Sequence, residues 1–546
     1  MNYPIYLLPV LLLAGLSATA SPALHKNGSA TQLMVDEKPF LVRGGELGNS
    51  TASNLDYLGQ YWSRFKELHL NTVLAPVYWD RMEPVEGTYD FSLVDGLIRD
   101  ARKHGIKLVL LWFGTWKNSM SCYAPEWVKK DTDRFPRCRD RNGNALEILA
   151  PFHEEGAKAD AKAFAALMRH IREIDEAEQT VIMVQPENEI GMIQHARCYS
   201  DTANQLYSSE VPQILMDYLF ANRDNLEPKL LRDWSAQGCP GNGTWREVFG
   251  DSPHAEEVFM AFHFARYTDR VASAGKAEYE LPMFVNAALI RPGYQPGQYV
   301  GAGPLPHLID IWKAAAPSID FISPDIYFPD FVRWTREYAR SDNPLFIPEA
   351  LRNNDASVNA LYAFAEHAAI GFNPFGIESI TGQAKTLLSQ SYGIIEQLEP
   401  LIIQAQAKGT IRGLLRESER QLQPLQFRMD GIEINVAFEY ALPPSLADGV
   451  INEAGDRSSA ERLPAGGLVI QTGDKEFLFA GMGLTVTFQS LEPGTKIGIV
   501  EAEEGTFTDG QWKNTLWLNG DQTHQGRHIR LVPGMFSIQR VKLYSY

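Results

Sequence analysis

Short apolar runs alternate with helix-periodic runs from about residue 32 to residue 389, and this alternation constrains the fold more than any other feature. The apolar runs are short, and the third of them is nearly all apolar, as expected of a strand that is buried on both faces of a parallel sheet. They comprise residues 40–44, 71–77, 106–113, 181–184, 283–289, 319–323, 345–348 and 371–376. Eight such strands separated by helices predict an α/β fold, one (β/α)8 TIM barrel. An open doubly wound sheet is the alternative, but its Gly-rich strand–helix turn is missing from the sequence.

The predicted barrel has long insertions after strands three and four, and these insertions hold all four cysteines and many aromatic residues. Because the loops after barrel strands build the active sites of this fold, we expect the insertions to wall a cleft. Cys122 lies near Cys138 in sequence, and Cys198 lies near Cys239. Proximity favours the disulfides Cys122–Cys138 and Cys198–Cys239, with four free thiols as the alternative.

After about Gly409 the pattern changes to short β-rich runs separated by turn signals, among them Asn519-Gly520. These runs are residues 432–439, 468–471, 484–488, 496–500 and 515–518. They predict a C-terminal antiparallel β domain, sandwich-like or a jelly roll. We therefore divide the chain into a catalytic barrel, residues 21–408, and a β domain, residues 409–546.

The N-terminus reads as an export signal. Residues 5–16 form an apolar run that is too short to cross a bilayer comfortably, and Ala18-Thr19-Ala20 follows with the small residues that signal peptidase favours. A cleaved signal peptide over residues 1–20 is predicted, and hence a secreted or periplasmic protein without a membrane segment in its mature form. An N-terminal anchor is the alternative, because no Lys or Arg precedes the apolar run.

Charge and composition exclude several classes of partner. With 50 basic and 67 acidic side chains the net charge is −17, so the chain has no electrostatic reason to bind nucleic acid. No HExxH or CxxC motif occurs, and we predict neither a metal nor a cofactor. The oligomeric state stays open, with a homodimer as one option.

Two glutamates stand at the ends of predicted strands on opposite sides of the barrel mouth. Glu189 ends strand four in the run Gln185-Pro186-Glu187-Asn188-Glu189, and Glu349 ends strand seven after Pro348. A retaining glycosidase needs one protonated carboxyl to donate to the leaving oxygen and one ionised carboxyl to attack the anomeric carbon. Nearby carboxyls split their pKa values in this way. We therefore predict Glu189 as acid/base and Glu349 as nucleophile.

At these positions the sequence resembles a known group of enzymes. Asn188-Glu189 after strand four and Glu349 after strand seven are similar to the signature of the large clan of retaining barrel glycosidases. Asn71-Thr72-Val73 and the run from Glu83 to Phe91 resemble glycoside hydrolase family 35, the β-galactosidases. The second-strand region is also similar to family 42, another β-galactosidase family, and Gly44-Gly45-Glu46 and Pro125-Glu126-Trp127 lean toward that family. The resemblance covers the barrel, about two-thirds of the chain, and not the β domain.

The resemblance also implies roles for two further residues. Asn188 matches the clan's asparagine, which hydrogen-bonds the sugar 2-hydroxyl, and Tyr327 matches its tyrosine, which donates to the nucleophile. The chain departs from family 35 at Pro76, where that family has Tyr, and in the third-strand run from Leu111 to Trp116. These departures concern the elements that hold galactose, not the catalytic pair.

Further site candidates come from their position after a barrel strand. Glu46, Asn286 and Glu378 offer polar groups for sugar hydroxyls, and Trp116 offers an aromatic face for stacking; packing roles are the alternative for each. For Asp80, Glu83 and Glu187 a structural role is favoured.

The predicted function is an exo-acting retaining β-galactosidase with a carbohydrate substrate of plant type, such as xyloglucan. Two alternatives stay open: another sugar in the same clan (β-mannoside, β-glucoside or arabinoside), and a catalytically inactive carbohydrate-binding protein. The C-terminal domain could also bind sugars through Trp512 or Trp517, although core packing is the favoured role of both.

Overall fold

The computed structural model describes residues 20–417, 423–439 and 463–546. Apart from Ala20, the predicted signal peptide lies outside the described residues. Within the described ranges, no helix has the length and apolar character that a membrane span requires.

Twenty-three strands are described. In chain order they are β1 Ala23–Asn27, β2 Ala30–Val35, β3 Lys38–Phe40, β4 Val42–Glu46, β5 Thr72–Tyr78, β6 Lys107–Lys117, β7 Arg137–Arg139, β8 Ala145–Leu149, β9 Val181–Asn188, β10 Phe284–Ala288, β11 Phe321–Ile326, β12 Phe346–Ala350, β13 Gly371–Pro374, β14 Ile411–Leu414, β15 Leu425–Met429, β16 Ile432–Phe438, β17 Gly466–Gly473, β18 Glu476–Met482, β19 Leu484–Ser490, β20 Ile497–Thr508, β21 Gln511–Trp517, β22 Ile529–Leu531 and β23 Ser537–Ser545.

The α-helices connect mainly the strands of the N-terminal two-thirds. In chain order they are α1 Leu55–Gly59, α2 Trp62–Glu67, α3 Trp79–Met82, α4 Ser92–Lys103, α5 Glu126–Lys130, α6 Glu154–Asp175, α7 Asp201–Tyr207, α8 Gln213–Ala221, α9 Pro228–Ala236, α10 Trp245–Phe249, α11 Pro253–Lys276, α12 Ile309–Ala315, α13 Phe331–Tyr338, α14 Ala356–Glu366 and α15 Gly382–Lys408. Short 3-10 helices span Thr51–Ser53, Arg223–Asn225, Pro306–Leu308, Ile377–Ser379 and Gly520–Thr523.

Eight parallel strands form the barrel that the sequence predicts. Their order in the sheet is β10-β11-β12-β13-β4-β5-β6-β9, and a parallel bridge between Val184 and Met283 joins β9 to β10. The Val184 N–H donates to the Pro282 carbonyl at 3.1 Å, which closes the ring. Because all strands run the same way, their carboxyl ends meet at one mouth of the barrel.

The barrel interior is packed with side chains, not open. In one interior layer Phe284 of β10, Phe321 of β11 and Phe346 of β12 meet with ring centroids 4.9 to 6.0 Å apart. All three are fully or almost fully buried. Aromatic contacts at this spacing add stability to the burial of apolar area, and they hold the strand ends above them in fixed positions.

The two long insertions lie where the sequence predicts them. The segment between β6 and β9 carries α5, the hairpin β7–β8 and α6, and the segment between β9 and β10 carries the helices from α7 to α11. A backbone hydrogen bond joins the two insertions: the Tyr199 N–H donates to the Arg139 carbonyl of β7 at 2.9 Å.

Neither predicted disulfide is formed in this structure, in which all four cysteines are free thiols. The pairing of Tyr199 with Arg139 brings the buried Cys198 beside the buried Cys138, each of which the sequence assigned to another partner. Cys122 is exposed, and Cys239 lies near Ser235 and Arg223. Sequence proximity failed here because a non-local backbone pairing decides which thiols are neighbours.

The C-terminal region forms two antiparallel sheets. The order is β14-β17-β18-β23-β20-β21 in one sheet and β15-β16-β19-β22 in the other. Apolar side chains from both sheets, such as Ile434 of β16 and Phe479 of β18, share one core, so the sheets pack as a sandwich. Asn519-Gly520 does not form the predicted hairpin turn, because Asn519 instead accepts from the Gly520 N–H at the start of a 3-10 helix.

The six-stranded sheet also packs against the barrel. Leu468, Leu478 and Ile538 belong to the same apolar cluster as the barrel helices α14 and α15. Polar contacts reinforce this face, since Glu366 of α14 accepts from Arg412 at 2.9 Å and from the Gly413 N–H at 3.1 Å.

Candidate active site

The barrel strands bring the two predicted catalytic glutamates together. Glu189 follows β9 directly and Glu349 lies in β12, and carboxylate oxygens of these two residues and of Asp325 lie within 4.8 Å of one another. Asp325 and Glu349 are register partners on neighbouring strands. A separation of about 5–5.5 Å is the distance at which a second carboxylate can attack the anomeric carbon directly. The arrangement thus has the geometry of a double-displacement site.

Glu349 is held by donors on two sides. The Tyr327 hydroxyl donates to one carboxylate oxygen at 2.6 Å, and the Asn286 amide lies 3.4 Å from the other. The glutamate side chain is buried, with 3% of its surface exposed. Donors on both sides fix the orientation of the carboxylate, as a nucleophile requires.

Glu189 lies in a different environment. Burial and the nearby Glu349 charge raise its pKa to about 7, while the Lys117 ammonium opposes this shift. Its backbone N–H donates to Asn286 Oδ1 at 2.9 Å, and Asn118 donates to its carboxylate. A carboxyl with this pKa can carry a proton at neutral pH and give it up during the reaction, as a general acid must.

The backbone beside Glu189 is strained. Glu187 and Glu189 have φ angles of 63° and 44°, in the left-handed region that non-glycine residues rarely adopt. Such conformations persist only where the surroundings hold them, and they cluster at functional sites. Here the Glu187 carboxylate accepts from the Trp116 N–H at 2.7 Å and fixes the turn after β9.

Lys117 is the central cation of the site. Its ammonium donates to Asn188 Oδ1 at 2.7 Å and lies 3.7 Å from the Glu189 carboxylate. Burial lowers the pKa of Lys117, but the charges of Glu349, Glu189 and Glu46 outweigh burial and raise the pKa overall. Because the lysine occupies Asn188 Oδ1, the Asn188 amide nitrogen is left buried with no partner in the described part of the chain, and it can donate to a ligand.

Two more carboxyls face the same space. Both oxygens of Glu46 and one oxygen of Asp325 are buried and accept no hydrogen bond from the described residues, although a protonated Glu46 can donate to Glu349. Burial and the Glu349 charge hold the pKa of both groups well above the ordinary range. Buried polar atoms normally have partners, so their absence here indicates atoms that await ligand hydroxyls.

The remaining predicted site residues differ in their placement. Asn286 lies in the site, where its amide donates to Asp325 at 2.7 Å. Glu378 lies at the barrel mouth, but its carboxylate accepts from the Gly48 N–H and the Thr51 hydroxyl, at 3.2 and 3.0 Å, and fixes the loop after β4. A contact of Glu378 with substrate stays a prediction.

Trp116 has the packing role that the sequence leaves as the alternative to stacking on a sugar. The side chain is 0% exposed, its ring packs edge-on against Phe264 and Tyr267, and its Nε1–H donates to the Leu149 carbonyl at 3.2 Å. The ring therefore contributes to the packing between β6 and α11 and presents no face to the cleft.

Sequence reasoning missed Lys117, Asn118 and Asp325. The first two were missed because β6 continues four residues beyond the predicted end at Phe113, and this extension carries Lys117 into the mouth. Asp325 lies on β11, two residues before Tyr327, which follows the strand directly. Because side chains two residues apart in extended backbone share a face, the position of Tyr327 could have identified Asp325.

Two clusters within the described ranges have the donor types and spacing to hold a metal ion. One is the trio Glu189, Asp325 and Glu349, where the Lys117 ammonium already supplies a positive charge. The other is His254, Glu257 and His307, which lies outside the catalytic centre.

Two family models match the sequence. The model described as beta-galactosidase, of glycoside hydrolase family 42, matches residues 54–236, about a third of the chain. A domain of unknown function, DUF5597, matches residues 388–530. No curated protein matches the chain.

Solved structures with a similar fold include several bacterial enzymes. The cold-adapted β-galactosidase from Rahnella sp. R3 is 17% identical, with a TM-score of 0.46 over 66% of this chain and 57% of that one. The β-galactosidase from Bacillus circulans sp. alkalophilus is 14% identical, with a TM-score of 0.46 and the same coverage. The chain thus spans less than two-thirds of the length of these galactosidases.

The family match and the facing carboxyls together define the barrel as a glycoside hydrolase domain. The match makes the barrel similar to the β-galactosidases of family 42, rather than to those of family 35 that residues 83–91 resemble.

Proposed function

We propose that this protein is a retaining, exo-acting β-galactosidase that works by double displacement. The observation that carries the proposal is the approach of the Glu189 and Glu349 carboxylate oxygens to within 4.8 Å across the barrel mouth. An inverting enzyme needs room for a water molecule and separates its carboxyls by about 6.5–9.5 Å, which is wider than this site.

The mechanism assigns a separate task to each carboxyl. Glu349 attacks the anomeric carbon while Glu189 donates its proton to the departing glycosidic oxygen, so a covalent galactosyl ester forms and the aglycone leaves as an alcohol. Glu189, now ionised, removes a proton from water, and the resulting oxygen nucleophile displaces Glu349 and releases galactose. The Asn188 amide nitrogen donates to the sugar 2-hydroxyl, a contact that strengthens as positive charge develops on the ring.

The enclosure of the site supports exo action. Glu46, Glu189, Asp325 and Glu349 are each at most 5% exposed. A deeply enclosed site accommodates a terminal sugar more readily than the middle of a polymer. The unpartnered oxygens of Glu46 and Asp325 would accept hydroxyl hydrogens of that sugar.

The polymer that carries the terminal galactose is proposed from the predicted location of the enzyme in the cell. If the predicted signal peptide exports the chain, the enzyme acts on galactosylated polymers outside the cytoplasm, such as xyloglucan or pectic galactan. Release of galactose from xyloglucan oligosaccharides, compared with release from galactan, tests this part of the proposal.

The decisive test compares wild type with Glu349→Gln on 4-nitrophenyl β-galactoside, β-glucoside, β-mannoside and α-arabinoside. We expect turnover of the β-galactoside, and a loss of about a thousandfold or more in Glu349→Gln, because the amide cannot form the glycosyl ester. Glu189→Ala should retain turnover of activated aryl galactosides when azide is added, with β-galactosyl azide as the product.

The possible results separate the proposals. Turnover of another glycoside alone would keep the mechanism and discard galactose as the sugar. Binding of galactosides without any product from wild type would support a catalytically inactive, carbohydrate-binding barrel instead.

A further inference from the structure

A second group of ionisable side chains lies between the first turns of α11 and the loop after β10. His254 and Glu257 are three residues apart on α11 and so share one helix face, and His307 faces them from the 3-10 helix Pro306–Leu308. His307 Nε2 lies 2.8 Å and His254 Nδ1 lies 3.5 Å from the same oxygen, Glu257 Oε2. The three donor atoms are all within 4.8 Å of one another.

The Glu257 carboxylate is fixed in orientation from its other side. Its Oε1 accepts from the Tyr299 hydroxyl at 2.8 Å and from the Ala302 N–H at 3.2 Å, and the side chain is 0% exposed. These bonds leave Oε2 directed at the two imidazoles. Outer hydrogen bonds that orient a carboxylate in this way are typical of metal sites.

His254 provides the second observation. Its Nδ1 is buried, and its one neighbour among the described residues is Glu257 at 3.5 Å, a distance at the long limit for a hydrogen bond. A buried nitrogen that is so weakly satisfied is costly. A cation between the two imidazoles and the carboxylate would satisfy this nitrogen and the buried charge together.

We propose that His254, Glu257 and His307 bind one divalent transition-metal ion of the zinc type. A set of two imidazole nitrogens and one carboxylate oxygen binds zinc in preference to magnesium or calcium. The His254 side chain is about one-third exposed, so an ion and a water ligand can reach the site from solvent.

The ion would tie the loop after β10 to α11, close to the acid/base. Gly301, next to Ala302, exchanges backbone hydrogen bonds of 2.7 and 2.8 Å with Met192, three residues beyond Glu189. The site is structural in this role, since neither histidine belongs to the catalytic cluster. The proposal does not depend on the reaction that the barrel performs.

The test is metal binding by the full chain after treatment with a chelator and dialysis. We expect about one Co²⁺ per chain, visible absorption bands of Co²⁺ with nitrogen and oxygen ligands, and displacement of Co²⁺ by Zn²⁺. Zn²⁺ should also raise the melting temperature, because an ion that binds only the folded state stabilises it. A chelator-treated chain that binds neither ion would overturn the proposal.

Two variants remove a ligand but keep a polar side chain of similar reach. In His307→Gln the amide nitrogen replaces Nε2 as donor to Glu257, and in His254→Asn the amide nitrogen replaces Nδ1. Each should bind Co²⁺ at least about tenfold more weakly than wild type. The exposed His25 on β1 gives the matched control, so His25→Gln should bind as wild type does.

A further variant separates the two metal-competent clusters. Glu349→Gln should retain the ion, because it changes only the catalytic carboxyls. Loss of binding in Glu349→Gln with retention in both histidine variants would contradict the assignment. Since one histidine variant could fail to fold, either variant with a wild-type circular dichroism spectrum suffices for the comparison.

Discussion

Glu189 and Glu349 are the same residue type with different surroundings, and the difference decides their chemistry. Glu349 accepts a hydrogen bond from Tyr327, whereas Glu189 is buried beside the Glu349 charge, and its pKa is about 7. Since the general acid must be protonated, kcat/KM for the galactoside should fall as pH rises through about 7. The position of this alkaline limb therefore reports the environment of Glu189.

Lys117 should set the position of that limb. Its positive charge lowers the pKa of Glu189, so Lys117→Met should raise this pKa and move the alkaline limb of kcat/KM to higher pH, along with a loss of turnover. The pH profile of kcat/KM for 4-nitrophenyl β-galactoside measures the shift. Lys107→Met at the start of the same strand is the control, and it should leave the limb in place. An unmoved or lowered limb in Lys117→Met would contradict the role given to the lysine.

At the scale of the element, β4 shows how tightly the barrel strands pack. Gly44 and Gly45 precede Glu46 on this strand, and a Cβ added at Gly45 would lie 2.5 Å from Cγ1 and 2.7 Å from Cβ of Ile377. These contacts are too short to be relieved by a rotamer change, because one of them is to the Cβ of Ile377.

Gly45→Ala should therefore destabilise the fold by about 1–3 kcal/mol, because the strand or the 3-10 helix after β13 must move. Thermal unfolding of the full chain measures the effect. Gly59→Ala is the matched control: a Cβ there meets nothing within 4 Å at the end of α1, so its melting temperature should equal or slightly exceed that of wild type. Equal melting temperatures for both variants would show that β4 tolerates the added methyl group.

How far the sequence predicts each element depends on whether the signal is local. The eight barrel strands follow from short apolar runs, a local signal, and the proposed catalytic pair follows from the ends of two of those runs. The end of β6 was missed because the apolar run stops at Phe113 and Gly114 and Thr115 follow it. In the structure Thr115 is nevertheless buried, and its hydroxyl donates a hydrogen bond to Asp160. The thiol neighbours Cys138 and Cys198, and the meeting of His307 with His254, depend on contacts between distant segments that no local pattern encodes.

At the scale of the whole molecule, the barrel and the sandwich share an apolar interface. Side chains of β17, β18 and β23 cluster with those of α14 and α15, and Phe507 donates its N–H to Gln397 at 3.1 Å. Removal of the sandwich would expose this apolar face of the barrel to water.

Calorimetry of the full chain should therefore show one cooperative transition, because neither part can lose its structure without uncovering the other. A chain ended at Lys408 should aggregate or melt at a lower temperature than the full chain, measured by calorimetry and light scattering. Two separate transitions, or a truncated barrel with the melting temperature of the full chain, would show that the interface contributes little.

The carboxyls around Lys117 also couple the binding of a sugar to the release of protons. The pKa of Glu189 is about 7, and burial raises the pKa of Glu46 and Asp325 well above the ordinary range, so the site binds more protons near neutral pH than ordinary carboxyls would. A neutral sugar that donates its hydroxyls to these oxygens favours their ionised form and expels protons into the buffer. The measured heat of binding should then differ between buffers of different ionisation enthalpy. A basic sugar mimic would itself take up a proton from these carboxyls, so its binding should release fewer protons to the buffer.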